Sequence, residues 1–324
     1  MNIGKRTKLV AAHFPSPQNA RNLDPLVILF SHKSMLSPVA KAAILSAQTS
    51  PGLVFPSIFS MRPSLIRSRL RQNLAARIAC MYYPTAMMPA HAAKAGFDAI
   101  WLDAEHNTWE RRELQRLLAL HHLANIDCIV RTGSRNATDL YHLLEDGANA
   151  LMIPLVDTVE DATALARAVK FPPLGQRGLD GAGLDNDFYL PGTSHYPAEA
   201  NAETLLLLQI ESPRALDNLD AIAAVPGIDG LFIGPGDLAL RLGCPLDWDR
   251  PEMIAAEDAV AAAAARNGIA WGRPGGNAEQ IRRIASKGGR LIAHGSDFSA
   301  VMTLLPNYGR TLADALERSV KPSR

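Results

Sequence analysis

Cysteine is scarce in this chain of 324 residues: there are three, Cys80, Cys128 and Cys244, and none belongs to a CxxC pair. A disulfide framework or a thiolate zinc site is therefore not expected, and this usage fits a reducing compartment. No run of about 18 uncharged apolar residues occurs, so we expect no membrane span. Charge of one sign is also lacking, because the formal net charge is +1. An overall basic field for nucleic acid is thereby excluded.

Acidic residues are nearly missing from positions 1–62, where Asp24 is the one acid against seven Lys or Arg. The segment is rich in Pro and Ser, and its apolar patches are short and without a sustained period. Such a leader is typical of a transit peptide, but a disordered extension fits equally well, as does an upstream start with ordered patterning from Met61. We expect an N-terminal extension over 1–62 and one folded domain over 63–324. The predicted location is cytoplasmic, or mitochondrial if the extension is a transit peptide.

The rest of the chain has the composition of a soluble enzyme, with 48% apolar and 20% charged residues. Apolar strand-like runs alternate with helix-like segments from about Ser64 onward. Eight such units over about 250 residues predict a (β/α)8 TIM barrel. An open doubly wound sheet is disfavoured because no GxGxxG motif follows the first strand. The strand-like runs lie near Ile78–Tyr82, Ala99–Leu102, Asp127–Val130, Ala150–Leu155, Leu205–Ile210, Gly230–Ile233, Ile269–Trp271 and Leu291–Ala293.

Polar side chains follow several of these runs at the point where each strand ends. Parallel strands of a closed barrel all point the same way, so residues at their carboxyl ends share one face and can meet around one pocket. Carboxylates, a histidine and an arginine at that face suggest a metal site with a base beside it. The residues concerned are Asp103, Glu105 and His106 after one run, Arg131 after the next, Gln209 and Glu211 after a third, and Gly236 and Asp237 after a fourth.

His106 is the candidate general base, since a histidine with an ordinary pKa needs little tuning to act near neutral pH. A lone loop histidine would more often have no role, but the cluster with Asp103, Glu105 and Arg131 favours a functional one. Arg131 can hold a carboxylate or an enolate through two contacts, or form a salt bridge at the barrel rim.

Glu211 and Asp237 carry charges that must be compensated if the strand ends are buried. A salt bridge to Arg214 or Arg241 is one answer. A divalent cation is the other, and two carboxylates with positions left to water and substrate suit Mg²⁺ or Mn²⁺. The glycines of Gly234-Pro235-Gly236 would let backbone N–H groups approach a ligand, although such a segment is as often a plain turn. The four-glycine stretch 175–185 is predicted to be a loop that shapes the pocket.

In their order along the chain, these residues resemble the HpcH/HpaI aldolases, metal-dependent class II aldolases that use a pyruvate enolate. The resemblance covers about Ser64 to Leu316. The motifs that carry it are AGFDAIWLDAEH (95–106), IVR (129–131), LLEDGANALMIPLV (143–156), KFPPLGQRG (170–178), QIE (209–211) and GPGDL (234–238). It implies a barrel of the phosphoenolpyruvate/pyruvate-domain type.

The resemblance also implies roles for individual residues. His106 would be the base and Arg131 would stabilise the enolate. Glu211 and Asp237 would bind a divalent cation, Mg²⁺, Mn²⁺ or Co²⁺, while Gln209 and the backbone at Gly236 would contact the substrate. Glu145 stands where family members often carry an acid that raises the basicity of the histidine across a subunit contact. An Asp is familiar at that position, so this chain departs from the pattern there.

The implied reaction is cleavage or formation of the C3–C4 bond of a 4-hydroxy-2-keto acid, with pyruvate and an aldehyde as the other pair of reactants. The expected partners are these small molecules and further copies of the chain, as a trimer or hexamer, with no nucleic acid and no membrane. Three alternatives stay open: a CoA-thioester lyase like the citrate lyase β subunit, an oxaloacetate decarboxylase, and a catalytically silent barrel that binds or supports other proteins. The loop after Arg177 departs from the best-known members, which leaves the aldehyde open and points to loop 179–196 and neighbouring subunits for its choice.

Overall fold

Eight parallel strands form a closed barrel, in chain order, in the computed structural model, which describes residues 61–319. The predicted (β/α)8 TIM barrel is therefore confirmed, and each strand pairs with its neighbour in the sequence, with β8 closing on β1. The strands are β1 (Ala76–Met81), β2 (Ala99–Asp103), β3 (Asp127–Arg131), β4 (Ala150–Ile153), β5 (Leu205–Ile210), β6 (Gly230–Ile233), β7 (Ala270–Pro274) and β8 (Leu291–Ser296).

Helices connect the strands and cover the outside of the barrel. Several begin at a side-chain cap; Asn136, for example, accepts hydrogen bonds from the backbone of Thr138 and Asp139. Residues Leu184–Tyr189 form short 3₁₀ turns that are interrupted by left-handed backbone at Asp187 and Phe188. The α-helices are α1 (Leu65–Arg71), α2 (Met88–Lys94), α3 (Arg111–Leu123), α4 (Ala137–Glu145), α5 (Val159–Val169), α6 (Tyr196–Glu203), α7 (Pro213–Asp217), α8 (Leu219–Ala223), α9 (Pro235–Leu242), α10 (Pro251–Asn267), α11 (Ala278–Ser286) and α12 (Asp297–Ser319).

The strands read as continuous apolar runs because both of their faces are buried. In β5, Leu205 and Leu207 point into the barrel, where they pack in one cluster with Trp101 and Phe232. Leu206 and Leu208 belong to the outer cluster between strands and helices. Side chains that point inward near the carboxyl ends of the strands therefore face the barrel mouth, and this alternation positions the candidate site.

Helix α1 closes the opposite, N-terminal end of the barrel. Its fully buried Ile66 joins the inner cluster, and Ser64 caps the helix by accepting from the backbone of Arg67. Met61 is also buried, and Arg62 forms a salt bridge of 2.8 Å with Asp127 at the start of β3. The last two residues assigned to the extension thus lie against the barrel, while the prediction for 1–60 falls outside the described residues.

Helix α12 is exposed from Phe298 to Leu316 in a single copy of the chain. It follows β8 and carries large apolar side chains on its surface, among them Phe298, Val301, Leu305 and Leu312. A groove of about 390 Å³ on the outer wall of the barrel is lined mainly by apolar residues of β1, β8, α11 and the loop after α2, together with Arg77 and His294. Across residues 61–319, none of the helices combines the length and apolar character that crossing a membrane requires.

Candidate active site

Asp103 and Arg131 form a buried ion pair at the barrel mouth. They are register partners at the ends of β2 and β3, and the Nε and Nη2 atoms of Arg131 lie 2.9 and 2.8 Å from the two carboxylate oxygens of Asp103. The guanidinium also lies over the Trp101 ring, 4.7 Å from its centroid. Such a two-point contact fixes the arginine as a positive charge in one orientation. The salt bridge considered for Arg131 is therefore present, and its contact with an enolate stays a prediction.

The pKa of Asp103 lies below its ordinary range although its side chain is 2% exposed. Burial by itself would raise this pKa, but the hydrogen bond and the charge of Arg131 outweigh it, helped by the backbone N–H groups of Glu105 and His106. For Arg131, burial lowers the pKa, and the bond to Asp103 with the charges of Glu105 and Glu211 raises it on balance. Both groups are therefore ionised at neutral pH.

His106 lies at the rim of the same mouth, directly after these residues. Its Nε2 atom is 3.6 Å from Oε2 of Glu105, and Glu105 is in turn 3.3 Å from Nε of Arg131. The imidazole is 60% exposed in a single copy of the chain. The structure thus brings together the four residues that the sequence grouped, with the histidine on the solvent side, where it can exchange protons.

Glu211 is a buried carboxylate without an arginine partner for its side chain among the described residues. One oxygen accepts a hydrogen bond of 3.0 Å from the backbone of Leu155, and Arg241 donates to the main-chain carbonyl of Glu211, not to its carboxylate. Burial raises the pKa of Glu211 to about 7, and the charges of Glu105 and Asp237 add to this, against the Leu155 hydrogen bond and the charge of Arg131. A carboxylate in this position lacks a counter-ion at neutral pH.

Gly234 makes room for the Glu211 side chain. A Cβ atom on Gly234 would lie 1.7 Å from Oε1 of Glu211, so any other residue there would displace the carboxylate. Gly234 also precedes α9, so the Gly-Pro-Gly segment is a helix start as well as a turn. A Cβ on Gly236, by contrast, would meet no atom within 4 Å. The two glycines therefore differ: the first is required by sterics, and the second leaves the first turn of α9 open to the mouth.

Asp237 lies in that first turn and is 38% exposed. It forms a salt bridge of 3.4 Å with Arg241, one of the two arginines considered from the sequence. The residues present fit a divalent cation, because Glu211 is a buried oxygen donor whose pKa is raised in part by the charge of a second carboxylate, Asp237. In the part of the chain that the structure describes, no three or more His, Cys, Asp or Glu side chains form a metal-holding group. The protein would thus supply two ligands and leave the others to substrate and water.

Gln209 is fully buried in the barrel, two residues before Glu211 on β5. Neither its amide nitrogen nor its amide oxygen has a hydrogen-bond partner among the described residues. A buried amide without partners is costly, so a bound molecule at the mouth is the natural partner for this side chain. This geometry agrees with the substrate contact that the resemblance implied for Gln209.

Glu145 and the loop 175–185 lie at the other end of the barrel. Glu145 ends α4, and the loop connects α5 to α6, so both belong to the N-terminal face. Burial raises the pKa of Glu145, whose surroundings are Arg177, Asp185 and Asp180. The expectation that this loop shapes the pocket is wrong within one barrel, because loops that lead into strands lie opposite the strand ends. A role for Glu145 beside His106 stays a prediction that requires a neighbouring subunit.

Two features of the site were missed from the sequence. The Trp109 indole donates a hydrogen bond of 2.6 Å to the backbone carbonyl of Asp103 and so braces the turn that presents His106. Asp297, at the start of α12, accepts hydrogen bonds from the backbone of Tyr82 and Tyr83 beyond the end of β1. The signal for Trp109 was its position three residues after His106; Asp297 offered none beyond its place after the last strand.

Comparison with known proteins places the chain in a family. Residues 80–303 match the family described as HpcH/HpaI aldolase/citrate lyase. The 2-keto-3-deoxy-L-rhamnonate aldolase of Klebsiella pneumoniae subsp. pneumoniae is 40% identical over 163 residues, which are 50% of this chain and 60% of that protein. The 4-hydroxy-2-oxovalerate aldolase of Rhodococcus jostii is 37% identical over 210 residues, 64% of this chain and 78% of that protein.

A solved structure supports the same assignment. The HpcH/HpaI aldolase from Desulfitobacterium hafniense DCB-2 superimposes with a TM-score of 0.72 at 27% identity, over 76% of this chain and 95% of that one. The parallel barrel, with acid, arginine and histidine groups at its mouth, agrees with the class of carbon–carbon lyases to which these aldolase relatives belong. Within that class, the chain belongs to the HpcH/HpaI aldolase/citrate lyase family.

Proposed function

We propose that this chain is a metal-dependent aldolase that cleaves or forms the C3–C4 bond of a 4-hydroxy-2-keto acid, with pyruvate and an aldehyde as the other reactants. The observation that carries the proposal is that the barrel mouth holds both a fixed positive charge and a buried carboxylate without a counter-ion. Arg131 is fixed by Asp103 as a permanent positive charge, while Glu211 stands buried and uncompensated nearby. The positive charge of Arg131 would stabilise an enolate, and the carboxylate of Glu211 would bind a cation that holds a 2-keto acid.

Glu211 and Asp237 would hold the divalent cation, whose contribution when bound is Lewis-acid polarisation of the 2-keto group. Mg²⁺, Mn²⁺ and Co²⁺ are the candidates. The buried amide of Gln209 would orient the keto acid, and the open first turn of α9 at Gly236 would present backbone N–H groups to its carboxylate. These contacts hold pyruvate and leave the aldehyde end toward β1, β2 and the rim.

The bond-breaking step follows from the placement of His106 and Arg131. His106 accepts the proton of the 4-hydroxyl group as the C4 oxygen becomes the aldehyde carbonyl. The electron pair of the C3–C4 bond moves into the C2–C3 bond, and the resulting enolate oxygen lies where Arg131 supplies fixed positive charge. The enolate then takes a proton at C3 to give pyruvate. Asp103 acts as a positioning residue, since it holds the guanidinium in place.

The rival functions predict other behaviour. A CoA-thioester lyase should require a basic surface for the nucleotide, and an oxaloacetate decarboxylase should use the same enolate without proton removal from a hydroxyl group. A silent barrel should neither bind the cation nor turn over a keto acid. A panel of aldehydes with pyruvate, with and without EDTA and read by product mass, separates these outcomes. Aldol product that disappears with EDTA supports the proposal, and borohydride trapping of a lysine adduct would contradict it.

The proposal includes a homo-oligomer, a trimer or a hexamer, as the working form. Helix α12 exposes Val301, Leu305 and Leu312, and the groove beside β1 and β8 offers an apolar surface for such a helix from another copy. An apolar face of this kind is usually covered by a partner. Light scattering should give a mass of several subunits for the wild-type protein. Leu305→Glu should lower that mass, and a monomeric wild-type protein would contradict this part of the proposal.

A further inference from the structure

A polar cavity of about 420 Å³ opens on the N-terminal face of the barrel, opposite the mouth that holds the candidate active site. Its walls come from α1 and the turn after it, and from the loops that lead into β6, β7 and β8. A cavity of this size can hold a small metabolite. Active sites of TIM barrels lie at the other face, so a ligand bound here would have a role apart from the proposed reaction.

Two arginines line this cavity, Arg67 from α1 and Arg290 from the loop before β8. In the part of the chain that the structure describes, Arg290 has no carboxylate partner. Its Nε and Nη1 atoms donate to neutral oxygens, which belong to Asn73 and to the carbonyls of Ala285 and Gly289. Its Nη2 atom forms no hydrogen bond with the described residues. The guanidinium therefore keeps free donors and an uncompensated charge.

Arg67 adds a charge that shares its one carboxylate with a second cation. Its Nη2 atom donates to Asp229 and to the carbonyl of Thr204, and Nζ of Lys170 also donates to Asp229, at 2.8 Å. Lys170 is 1% exposed, and burial lowers its pKa, helped by the charge of Arg67 and opposed by that of Asp229. The Nε atom of Arg67 is buried and has no hydrogen-bond partner among the described residues.

Positive charge thus exceeds negative charge around the cavity. Among the described residues that line it, Asp229 is the one acid, and Lys170 and Arg67 both depend on it. Partly buried cations in excess repel one another unless an anion compensates them. A guanidinium group binds carboxylate and phosphate oxygens through two parallel hydrogen bonds. The charge and the donors of this cavity therefore suit a small oxyanion.

We propose that this cavity is a binding site for a small dianion, with Arg67 and Arg290 as its anchors. The negative charges are those of a phosphate group or of paired carboxylates on a metabolite. The bound anion links α1 to the loop before β8 and so stabilises the closure of the N-terminal end of the barrel. This site is independent of the proposed aldolase function, because no group of the mouth takes part in it.

The test is isothermal titration of the full-length protein with sodium phosphate, sodium succinate and sodium chloride at equal ionic strength. Phosphate or succinate should bind saturably at one site per chain, and the tighter of the two identifies the anionic group that the site takes; chloride should give no saturable binding. Arg290→Gln should weaken this binding about tenfold or more, because a charge-assisted contact is lost. Arg116→Gln, at an exposed position of α3 without a carboxylate partner among the described residues, is the matched control and should bind like the wild-type protein.

Asn73→Asp tests the same site by adding a charge. Asn73 lies on the cavity wall with a φ of 56°, a conformation that aspartate tolerates well, and its Oδ1 atom accepts from Nε of Arg290 at 3.1 Å. The new carboxylate should pair with Arg290, raise the melting temperature of the ligand-free protein and weaken anion binding about tenfold.

Melting curves give a second readout that needs no turnover. The anion that binds should raise the melting temperature of the wild-type protein and of the Arg116→Gln control, and should leave Arg290→Gln nearly unchanged. Absence of saturable binding by both phosphate and succinate would overturn the proposal, as would equal affinity of the wild-type and Arg290→Gln proteins. Binding that is lost in Arg131→Ala and kept in Arg290→Gln would place the anion at the barrel mouth and would also overturn it. If Arg290→Gln does not fold, Asn73→Asp decides by the same affinity.

Discussion

Replacement of Glu211 by glutamine should stabilise the metal-free protein while abolishing its response to metal. Glu211 is 2% exposed, and its pKa is raised to about 7 from an ordinary value of 4.5. Below pH 4.5 the carboxyl is protonated in both the folded and the unfolded chain, so it costs nothing. As the pH rises from 4.5 to 7, the unfolded chain releases the proton first, and the folded state loses stability relative to it. Above pH 7 the full cost is present.

The size of this cost follows from the shift. A difference of about 2.5 pKa units corresponds to about 3 kcal/mol in the free energy of unfolding, as an upper figure. Glutamine keeps an oxygen that accepts from the backbone of Leu155 and carries no charge, so most of the cost should vanish. For a domain of this size, about 2 kcal/mol should raise the melting temperature by roughly 4–8 °C.

The assay is thermal or denaturant unfolding of wild-type and Glu211→Gln proteins at pH 5 and pH 8, in EDTA and then in saturating Mg²⁺. In EDTA the variant should be the more stable at pH 8, and the two should converge at pH 5. With Mg²⁺ the wild-type protein should gain stability and the variant should gain little. A variant that is less stable than the wild-type protein at pH 8 in EDTA would refute the reasoning, because the carboxylate would then be compensated without a cation.

Three further predictions concern single residues. His106→Ala should reduce aldol cleavage by about 10²-fold or more yet spare decarboxylation of oxaloacetate, because oxaloacetate has no hydroxyl proton to remove. Arg131→Ala should reduce both reactions by about 10²–10³-fold. Equal losses of the two activities in the histidine variant would contradict this division of roles. Gly234→Ala should weaken Mg²⁺ binding at least tenfold by displacing Glu211, as isothermal titration can measure against Gly236→Ala, whose added Cβ meets no atom within 4 Å. Burial lowers the pKa of His121 to about 4, so the wild-type protein should lose up to about 3 kcal/mol of stability as the pH falls from 6.5 to 4, and His121→Phe should remove this acid-side slope in denaturant titrations.

The barrel could be predicted because its signals are local. Apolar runs of strand length, helical spacing between them, and the rule that parallel strand ends share a face were enough to place Asp103, Arg131, Glu211 and Asp237 at one mouth. The grouping of His106 with its acidic neighbours was confirmed for the same reason, since these residues follow one strand end directly. These residues are neighbours both in the sequence and in space.

Other features depend on contacts between distant parts of the chain. The loop 175–185 has the glycine content of a pocket loop, and composition does not tell which end of the barrel a loop occupies until the order of helix and strand around it is considered. The steric demand at Gly234 depends on where the Glu211 side chain turns, 23 residues earlier in the sequence. The burial of Met61 and Arg62 likewise depends on the start of β3 and on α6. None of these contacts leaves a periodic pattern.

Asp103 and Glu211 show how one mouth gives two carboxylates opposite properties. Both are 2% exposed, yet the pKa of Asp103 is lowered and that of Glu211 is raised. The difference lies in Arg131, which places its Nε and Nη2 atoms on Asp103 and acts on Glu211 only as a more distant charge. In the proposed function, an arginine that paired with Glu211 instead would take one ligand from the cation and the fixed positive charge from the enolate. The Asp103–Arg131 pair therefore leaves the Glu211 carboxylate without an arginine partner, as the proposed role of Glu211 as a metal ligand requires.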